Sequence, residues 1–162
     1  GDVSRSMGEN EKEPVKQRPR LLFLCTGNSA RSQLAEGWAR HLAGDQFEVF
    51  SAGTAPTGLR SLAVQAMKER GIDISAQRSK SLAEVPSQAD YVISLCAEAD
   101  AACPTLPARR LRLAWHLPDP AAASGTAEQK LDAFRAVRDE IERRLRDFFA
   151  RGKGNGPPAV NR

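Results

Sequence analysis

The sequence predicts an α/β fold: a single-domain, three-layer sandwich in which a four-stranded parallel sheet is flanked by helices. Short apolar runs that indicate buried strands alternate with longer segments whose apolar residues recur every three or four positions, as on one face of a helix. Strands that alternate with helices form a parallel sheet, because each helical crossover returns the chain to the same end of the sheet. The length of 162 residues fits one such domain.

Four segments have the composition of strands. Residues 20–24 and 91–95 are almost wholly apolar, which is typical of strands buried on both faces. Residues 47–51 and 110–115 alternate apolar and polar side chains, which indicates strands with one face toward the core.

The segments between them read as helices. Residues 30–43 and 58–70 have helical spacing, and Gly44 and Gly71 end them. Shorter helical pieces are predicted at residues 81–84 and 97–103, each stopped by a proline. The last helix is predicted at residues 126–150. Its apolar stripe consists of Leu131, Phe134, Val137, Ile141, Leu145 and Phe148.

The domain is therefore expected at residues 20–150, with a disordered tail at 1–19 and a flexible one at 151–162. We expect residues 1–6, ahead of Met7, to be left over from cloning. No apolar run approaches the roughly 20 residues of a membrane span, and no signal peptide opens the chain, so we expect a cytoplasmic protein. We also expect it to be a monomer. The net charge of +4 comes without a dense basic run interleaved with aromatics, so no nucleic-acid partner is expected. Cysteine and histidine spacings predict no metal site.

The stretch after the first strand has the residues of an oxyanion site. Cys25 ends the apolar run, and Arg31 and Ser32 complete the pattern C-x5-R-S. A loop between a strand and a helix start directs backbone N–H groups and partial positive charge at one point. These groups and Arg31 favour the thiolate, which is the nucleophilic form of cysteine. The residues predicted to hold the anion are Thr26, Gly27, Asn28, Ser29, Ala30, Arg31 and Ser32.

Other chemically capable side chains follow the third and fourth strands. Asp119 precedes Pro120 and is a candidate general acid, although Asp-Pro is also common in ordinary turns. Cys96 and Cys103 are candidate redox thiols or inert buried ones. Seven helical residues rise about 10.5 Å, whereas a disulfide needs Cα atoms within about 7 Å. A bond between these two cysteines would therefore require the segment between them to unwind.

Three motifs together resemble the thioredoxin-coupled arsenate reductases, which share the fold of the low-molecular-weight protein tyrosine phosphatases. The resemblance covers about residues 20–150. The motifs are CTGNSARSQLAEGW from Cys25, Cys96-x6-Cys103-Pro104, and Asp119-Pro120-Ala121.

The resemblance implies a role for each catalytic residue. Cys25 would attack arsenate held by the loop and Arg31, with Asp119 as general acid. Cys96 would then attack the adduct, releasing arsenite, and Cys103 would take over the disulfide for reduction by thioredoxin. No bound cofactor is implied. Since phosphate and arsenate share shape and charge, weak phosphatase activity is also expected.

Some relatives hold a potassium ion beside the loop, at positions that match Asn28, Glu36 and Ser51 and an acidic residue. Here Lys80 stands at the acidic position. We expect its ammonium group to occupy the cation site and to pair with Glu36, so that the activity does not depend on potassium.

Two other function classes fit part of the pattern. A low-molecular-weight tyrosine phosphatase would use Cys25, Arg31 and Asp119, but such enzymes usually have an aromatic residue where this chain has Ala121, and they have no need of Cys103. A non-enzymatic redox or oxyanion sensor would use the thiols to switch a partner surface, but no partner motif supports it.

Overall fold

A computed structural model describes residues 18–96 and 106–155 of the chain. Its strands are β1 (Arg20–Leu24), β2 (Glu48–Ala52), β3 (Ala89–Ser94) and β4 (Ala108–Ala114), and its helices are α1 (Arg31–Ala43), α2 (Ser61–Lys68) and α3 (Ala127–Asn155). Short 3₁₀ turns lie at Leu82–Glu84 and Pro120–Ala122. No helix in the described part of the chain is both long and apolar enough to cross a membrane.

The four strands form one parallel sheet in the order β2-β1-β3-β4. The predicted fold class is therefore confirmed. Leu22 of β1 lies beside Phe50 on one side and Val92 on the other, which fixes the register across the middle of the sheet. All four strands run in one direction, so the segments that follow β1, β3 and β4 start at the same edge, where α/β proteins place their ligands.

Alternate strand residues point to opposite faces of the sheet. One face, which includes Leu21, Phe23 and Ile93, packs in the larger core with all three helices. The opposite face, with Leu22 and Val92, packs against side chains of the first 3₁₀ turn and its surroundings, Leu82 and Val85 among them. The predicted stripe of α3 is confirmed, because all six of its side chains are buried.

Element boundaries differ from the predicted ones for local reasons. Strand β3 begins two residues earlier and ends at Ser94, although the backbone N–H of Leu95 still donates to Leu24. Helix α2 begins at Ser61 instead of residue 58, because Gly58 has a φ of +98° and Arg60 is extended. The predicted helical piece at residues 97–103 lies outside the described residues.

Both predicted tails include ordered backbone. Helix α3 runs five residues past its predicted end, and an ion pair of 2.8 Å between Arg151 and Asp147 supports its last turns. At the other end, Arg18 donates to the carbonyl oxygen of Gly44 at 2.6 Å, and Pro19 accepts from the backbone of Glu48 at 2.9 Å. The regular structure therefore extends slightly beyond residues 20–150.

Candidate active site

Residues 25–30 connect β1 to α1 and form what we call the nucleophile loop. Its carbonyl oxygens face away from its centre, because donors outside the loop bind them. Thr26 accepts from the backbone of Ala55 at 2.9 Å, Gly27 from that of Thr57 at 3.0 Å, and Ser29 from that of Arg60 at 3.0 Å. This pairing explains why α2 starts late: the backbone of residues 55–60 is used to hold the loop.

The amide groups of the loop are not used within the described residues. In the described part of the chain, none of the N–H groups of residues 27–31 donates a hydrogen bond. Ala30 precedes α1 and provides no side-chain cap. Converging N–H groups at an uncapped helix start attract an anion. These features are compatible with the predicted oxyanion site, which stays a prediction.

Asn28 fixes the shape of the loop. It has a φ of +45°, in the left-handed region that asparagine tolerates better than most residues. Its Nδ2 group donates to Ser32 Oγ at 2.7 Å and to Ser51 Oγ at 3.0 Å, while its Oδ1 accepts from the backbone of Lys80 at 2.8 Å. The side chain is fully buried, and its bonds to Ser32 and Ser51 are made out of contact with water.

The nucleophile is held by a directed hydrogen bond. Cys25 is 2% exposed, and its Sγ lies 2.9 Å from Ser32 Oγ. Asn28 donates to that oxygen, and the hydroxyl hydrogen of Ser32 is available to point at the sulfur when Cys25 is a thiolate. Ser32 can therefore stabilise a thiolate on Cys25.

Arg31 ties together the three segments that meet at the sheet edge. It begins α1, and its Nη1 group donates to the carbonyl oxygens of Leu95 at 3.3 Å and Leu117 at 3.2 Å. Its Nε is buried without a hydrogen-bond partner, the one such side-chain atom in the described chain. An unpaired buried donor costs about 1–3 kcal/mol, which a bound oxyanion would recover.

Cys96 follows β3 and lies beside the loop. It is 3% exposed, and its Sγ is 3.9 Å from Thr26 Oγ1, next to the nucleophile in sequence. Cys96 is disulfide-bonded, whereas Cys25 is a free thiol. Cys103, the third predicted catalytic cysteine, lies outside the described residues.

Asp119 lies on the same side of the sheet but is more loosely held. Its exposed carboxylate accepts from the backbone of Ala121 at 3.0 Å and so caps the second 3₁₀ turn. It makes no hydrogen bond to Cys25 or Arg31, both of them described residues. The nearest link is indirect: Arg31 holds Leu117, two residues earlier in the same loop.

The predicted cation position contains the ammonium group of Lys80. Its Nζ lies 3.4 Å from Glu36 Oε1, 3.2 Å from Ser51 Oγ and 2.8 Å from the carbonyl oxygen of Arg78. Glu36 also accepts from Ser51 at 2.5 Å and pairs with Arg40 at 2.9 Å. The structure thus brings Asn28, Glu36, Ser51 and Lys80 into one cluster behind the loop.

Three supporting residues were not found from the sequence. Gln33 is fully buried, and its Nε2 donates to both the backbone and the side-chain oxygen of Asn28. Gly53 lies so close to the loop that a Cβ there would be 2.4 Å from the carbonyl oxygen of Thr26. The Nδ1 of His116 lies 3.4 Å from the carbonyl oxygen of Cys96. The contacts of Gly53 and His116 join distant segments, for which spacing along the chain gives no signal, whereas Gln33 is only five residues from Asn28.

Comparison with known proteins agrees with this geometry. The family model described as low molecular weight phosphotyrosine protein phosphatase matches residues 20–156. The chain belongs to this family. A relative named arsenate reductase from Halalkalibacterium halodurans is 48% identical over 134 residues, which cover 82% of this chain and 96% of that protein.

Two solved structures have the same fold as this family member. One is described as an arsenate reductase in the phosphate binding state; it is 33% identical with a TM-score of 0.69, over 82% of this chain and 97% of that one. The other is a thioredoxin-dependent arsenate reductase from Corynebacterium glutamicum. It is 29% identical with a TM-score of 0.63, over 84% of this chain and 62% of that one. Within the family, the chain is therefore similar to the arsenate reductases.

Proposed function

We propose that this protein is a cytoplasmic enzyme that reduces arsenate to arsenite for arsenic detoxification, with electrons from thioredoxin. The observation that carries the proposal is the position of Cys96 against the nucleophile loop, with its sulfur 3.9 Å from Thr26 Oγ1. A phosphatase needs the loop, Arg31 and an acid, but has no use for a second thiol there. The names of the relatives support the same choice.

In the first step, the loop amides and Arg31 bind the arsenate oxygens. The thiolate of Cys25, stabilised by Ser32, attacks the arsenic atom and forms a sulfur–arsenic bond. Asp119 donates a proton to the departing oxygen, which leaves as water. The exposure of its carboxylate allows it to recover a proton from solvent.

In the second step, the thiolate of Cys96 attacks Cys25 Sγ. A sulfur–sulfur bond forms, and the sulfur–arsenic bond breaks with its electron pair passing to arsenic, which leaves as arsenite. The two thiols are thereby oxidised and the arsenic is reduced by two electrons. The hydrogen bond from Arg31 to Leu95 places the residue before Cys96 at the anion site.

In the third step, Cys103 attacks Cys96 and frees Cys25 as a thiolate. This step would leave Cys25 free and Cys96 disulfide-bonded, the states that these two residues have in this structure. The dithiol of thioredoxin then reduces the Cys96–Cys103 disulfide by the same exchange chemistry. Because a thiolate must approach in line with the bond, the segment between the two cysteines has to present it to the partner.

The test is arsenate-dependent NADPH oxidation with thioredoxin and thioredoxin reductase. We expect turnover by the wild type and none by Cys25→Ser, Cys96→Ser or Cys103→Ser. Cys103→Ser should still release one arsenite per chain, because the first two steps do not need it. Sustained turnover by Cys103→Ser without an added small thiol would disprove the relay.

Phosphatase activity is the second candidate, because the loop and Arg31 suit phosphate as well as arsenate. The Pro120–Ala122 turn carries Ala121 where a phenol ring would need an aromatic partner. We therefore expect slow hydrolysis of p-nitrophenyl phosphate that depends on Cys25 and not on Cys96. A rate of phosphate ester hydrolysis that exceeds the rate of arsenate turnover would favour phosphatase over arsenate reductase as the main activity.

A further inference from the structure

The exposed strand β4 carries a group of arginines that no described acid neutralises. Arg109, Arg110 and Arg112 are all exposed, and none forms an ion pair with a described residue. Arg109 donates to the amide of Gln88, and the guanidinium of Arg110 lies 5.6 Å from the Tyr91 ring centroid. Here these three residues are called the β4 arginines.

The arginines of helix α3, unlike those of β4, are paired with carboxylates. All six described arginines of that helix have a carboxylate within ion-pair distance. They are Arg135, Arg138, Arg143, Arg144, Arg146 and Arg151. The charge of α3 is thus balanced locally, whereas that of β4 is open to an external anionic partner.

The β4 arginines lie within reach of the redox thiols. Arg112 is beside Val92 in the sheet, four residues before Cys96. With a strand rise of 3.3 Å per residue and a strand spacing of 4.8 Å, the Cα atoms of Arg112 and Cys96 are about 14 Å apart. A protein partner that covers about 800 Å² has a footprint of roughly 16 Å radius. A partner centred on Cys96 would therefore cover Arg112. Arg109, whose Cα lies roughly 20 Å or more from that of Cys96, would be outside this footprint and would act on the approaching partner through its charge.

We propose that the β4 arginines form the docking strip for the protein reductant, and that the reductant meets them with an acidic surface beside its reactive dithiol. The inference rests on the proposed function, since it names the surface through which thioredoxin would approach Cys96. Charges at the rim of an interface act mainly on the association rate and on its salt dependence. The strip would thus steer the partner toward the disulfide.

A protective role is the main alternative. Strand β4 is an edge of the described sheet, and one extra residue bulges between its pairings of Ala108 with Ala89 and Leu111 with Tyr91. Bulges and charged side chains both discourage edge strands from pairing with other chains. That role requires no particular partner, so the two explanations predict different effects of neutralising the arginines.

The experiment measures the rate at which reduced thioredoxin reduces the oxidised protein in a single turnover, at about 20 and 200 mM salt. We compare the wild type with Arg109→Gln/Arg112→Gln and with a control, Arg143→Gln/Arg146→Gln, which removes the same charge from α3. The β4 variant should react about three- to tenfold more slowly at low salt, with a weaker salt dependence. The α3 control should match the wild type, and reduction by dithiothreitol should be equal in all three.

Equal rates of reduction by thioredoxin in the two double variants would overturn the docking strip. Self-association of the β4 variant, together with a normal rate of reduction by thioredoxin, would show that the arginines protect the sheet edge instead. Circular dichroism and thermal melting establish that each variant is folded. Failure of the wild type to react with thioredoxin would overturn both proposals. Normal reduction by thioredoxin without arsenate turnover would overturn the proposed function alone.

Discussion

The Nη1 group of Arg31 donates a hydrogen bond of 3.2 Å to the carbonyl oxygen of Leu117, two residues before Asp119. The same group donates to Leu95, the residue before Cys96. One guanidinium thus connects the start of α1 with both of the other segments that carry candidate catalytic residues. Arg31, the proposed anion ligand, therefore also sets the relative positions of the segments that carry Asp119 and Cys96.

Replacing Arg31 by lysine should show both roles. Lysine keeps the positive charge but cannot donate to two carbonyls and to a bound oxyanion in one plane. We expect Arg31→Lys to lower kcat/KM for arsenate by about 100-fold or more, the scale of losing an oxyanion-stabilising donor. Arg40→Lys, which changes an arginine of α1 at the cation cluster, is the control. A loss of less than about fivefold in Arg31→Lys would refute the dual role.

Ser32→Ala should reduce the reactivity of Cys25. The substitution removes the hydroxyl group whose oxygen lies 2.9 Å from Sγ, and it leaves Asn28 without one of its acceptors. We expect the rate of Cys25 alkylation by iodoacetamide at pH 7 to fall by about tenfold, because charge-assisted hydrogen bonds contribute about 1.5–3 kcal/mol. Ser124→Ala, an exposed substitution, is the control. An unchanged alkylation rate would show that the loop amides stabilise the Cys25 thiolate without help from Ser32.

Lys80 should make the enzyme indifferent to potassium. Its Nζ already contacts Glu36 Oε1 and Ser51 Oγ. We expect equal arsenate turnover in sodium and potassium chloride at matched ionic strength. Lys80→Met should lower the free energy of unfolding by about 1–3 kcal/mol, because the buried carboxylate of Glu36 loses a partner. Clear activation of the wild type by potassium would contradict the prediction that the Lys80 ammonium group takes the place of a bound cation.

The ion cluster between α2 and α3 should make stability fall in acid. Hydrogen bonds from Arg135, and then from Arg138, lower the pKa of Glu69 to about 2 from an ordinary value of 4.5. Since the pKa is lower in the folded state, Glu69 stabilises the fold above about pH 4.5, and this contribution is lost as the pH falls through 2. Urea midpoints should show a wild-type advantage over Glu69→Gln that shrinks between pH 4.5 and 2. Asp45→Asn, an exposed control, should show no such pH-dependent difference in urea midpoint. A difference between the wild type and Glu69→Gln that stays constant from pH 4.5 to 2 would refute the lowered pKa of Glu69.

Gly53→Ala should displace the backbone of the nucleophile loop. The new Cβ would lie 2.4 Å from the carbonyl oxygen of Thr26 and 2.6 Å from that of Cys25, so the backbone of the loop must move. We expect kcat/KM for arsenate to fall by at least about tenfold, because misplacement by about 1 Å is enough for that. Gly71→Ala is the control: its φ of +77° makes alanine strained, but nothing lies near its Cβ. It should lower the melting temperature and leave activity intact, and equal activities of the two variants would contradict the prediction.

Local chemistry explains why so much was predictable. The strands and helices have strong periods of two and 3.6 residues, and the last helix buried all six side chains of its predicted stripe. Cys25, Arg31 and Ser32 are close in sequence, and a strand–loop–helix unit leaves them few alternative arrangements. The sequence by itself therefore determined the fold class, the loop and the residue types of an oxyanion site.

Contacts between distant segments decided the rest. The late start of α2 follows from the backbone of Arg60 donating to Ser29, and Asn28 is supported by the backbone of Lys80. The bonds from Arg31 to Leu95 and Leu117 span 64 and 86 residues. Such pairings depend on which strand edges meet in the folded sheet, and a one-dimensional pattern does not contain that information. Only the tertiary structure decided how the loop, the second thiol and the acid are held together.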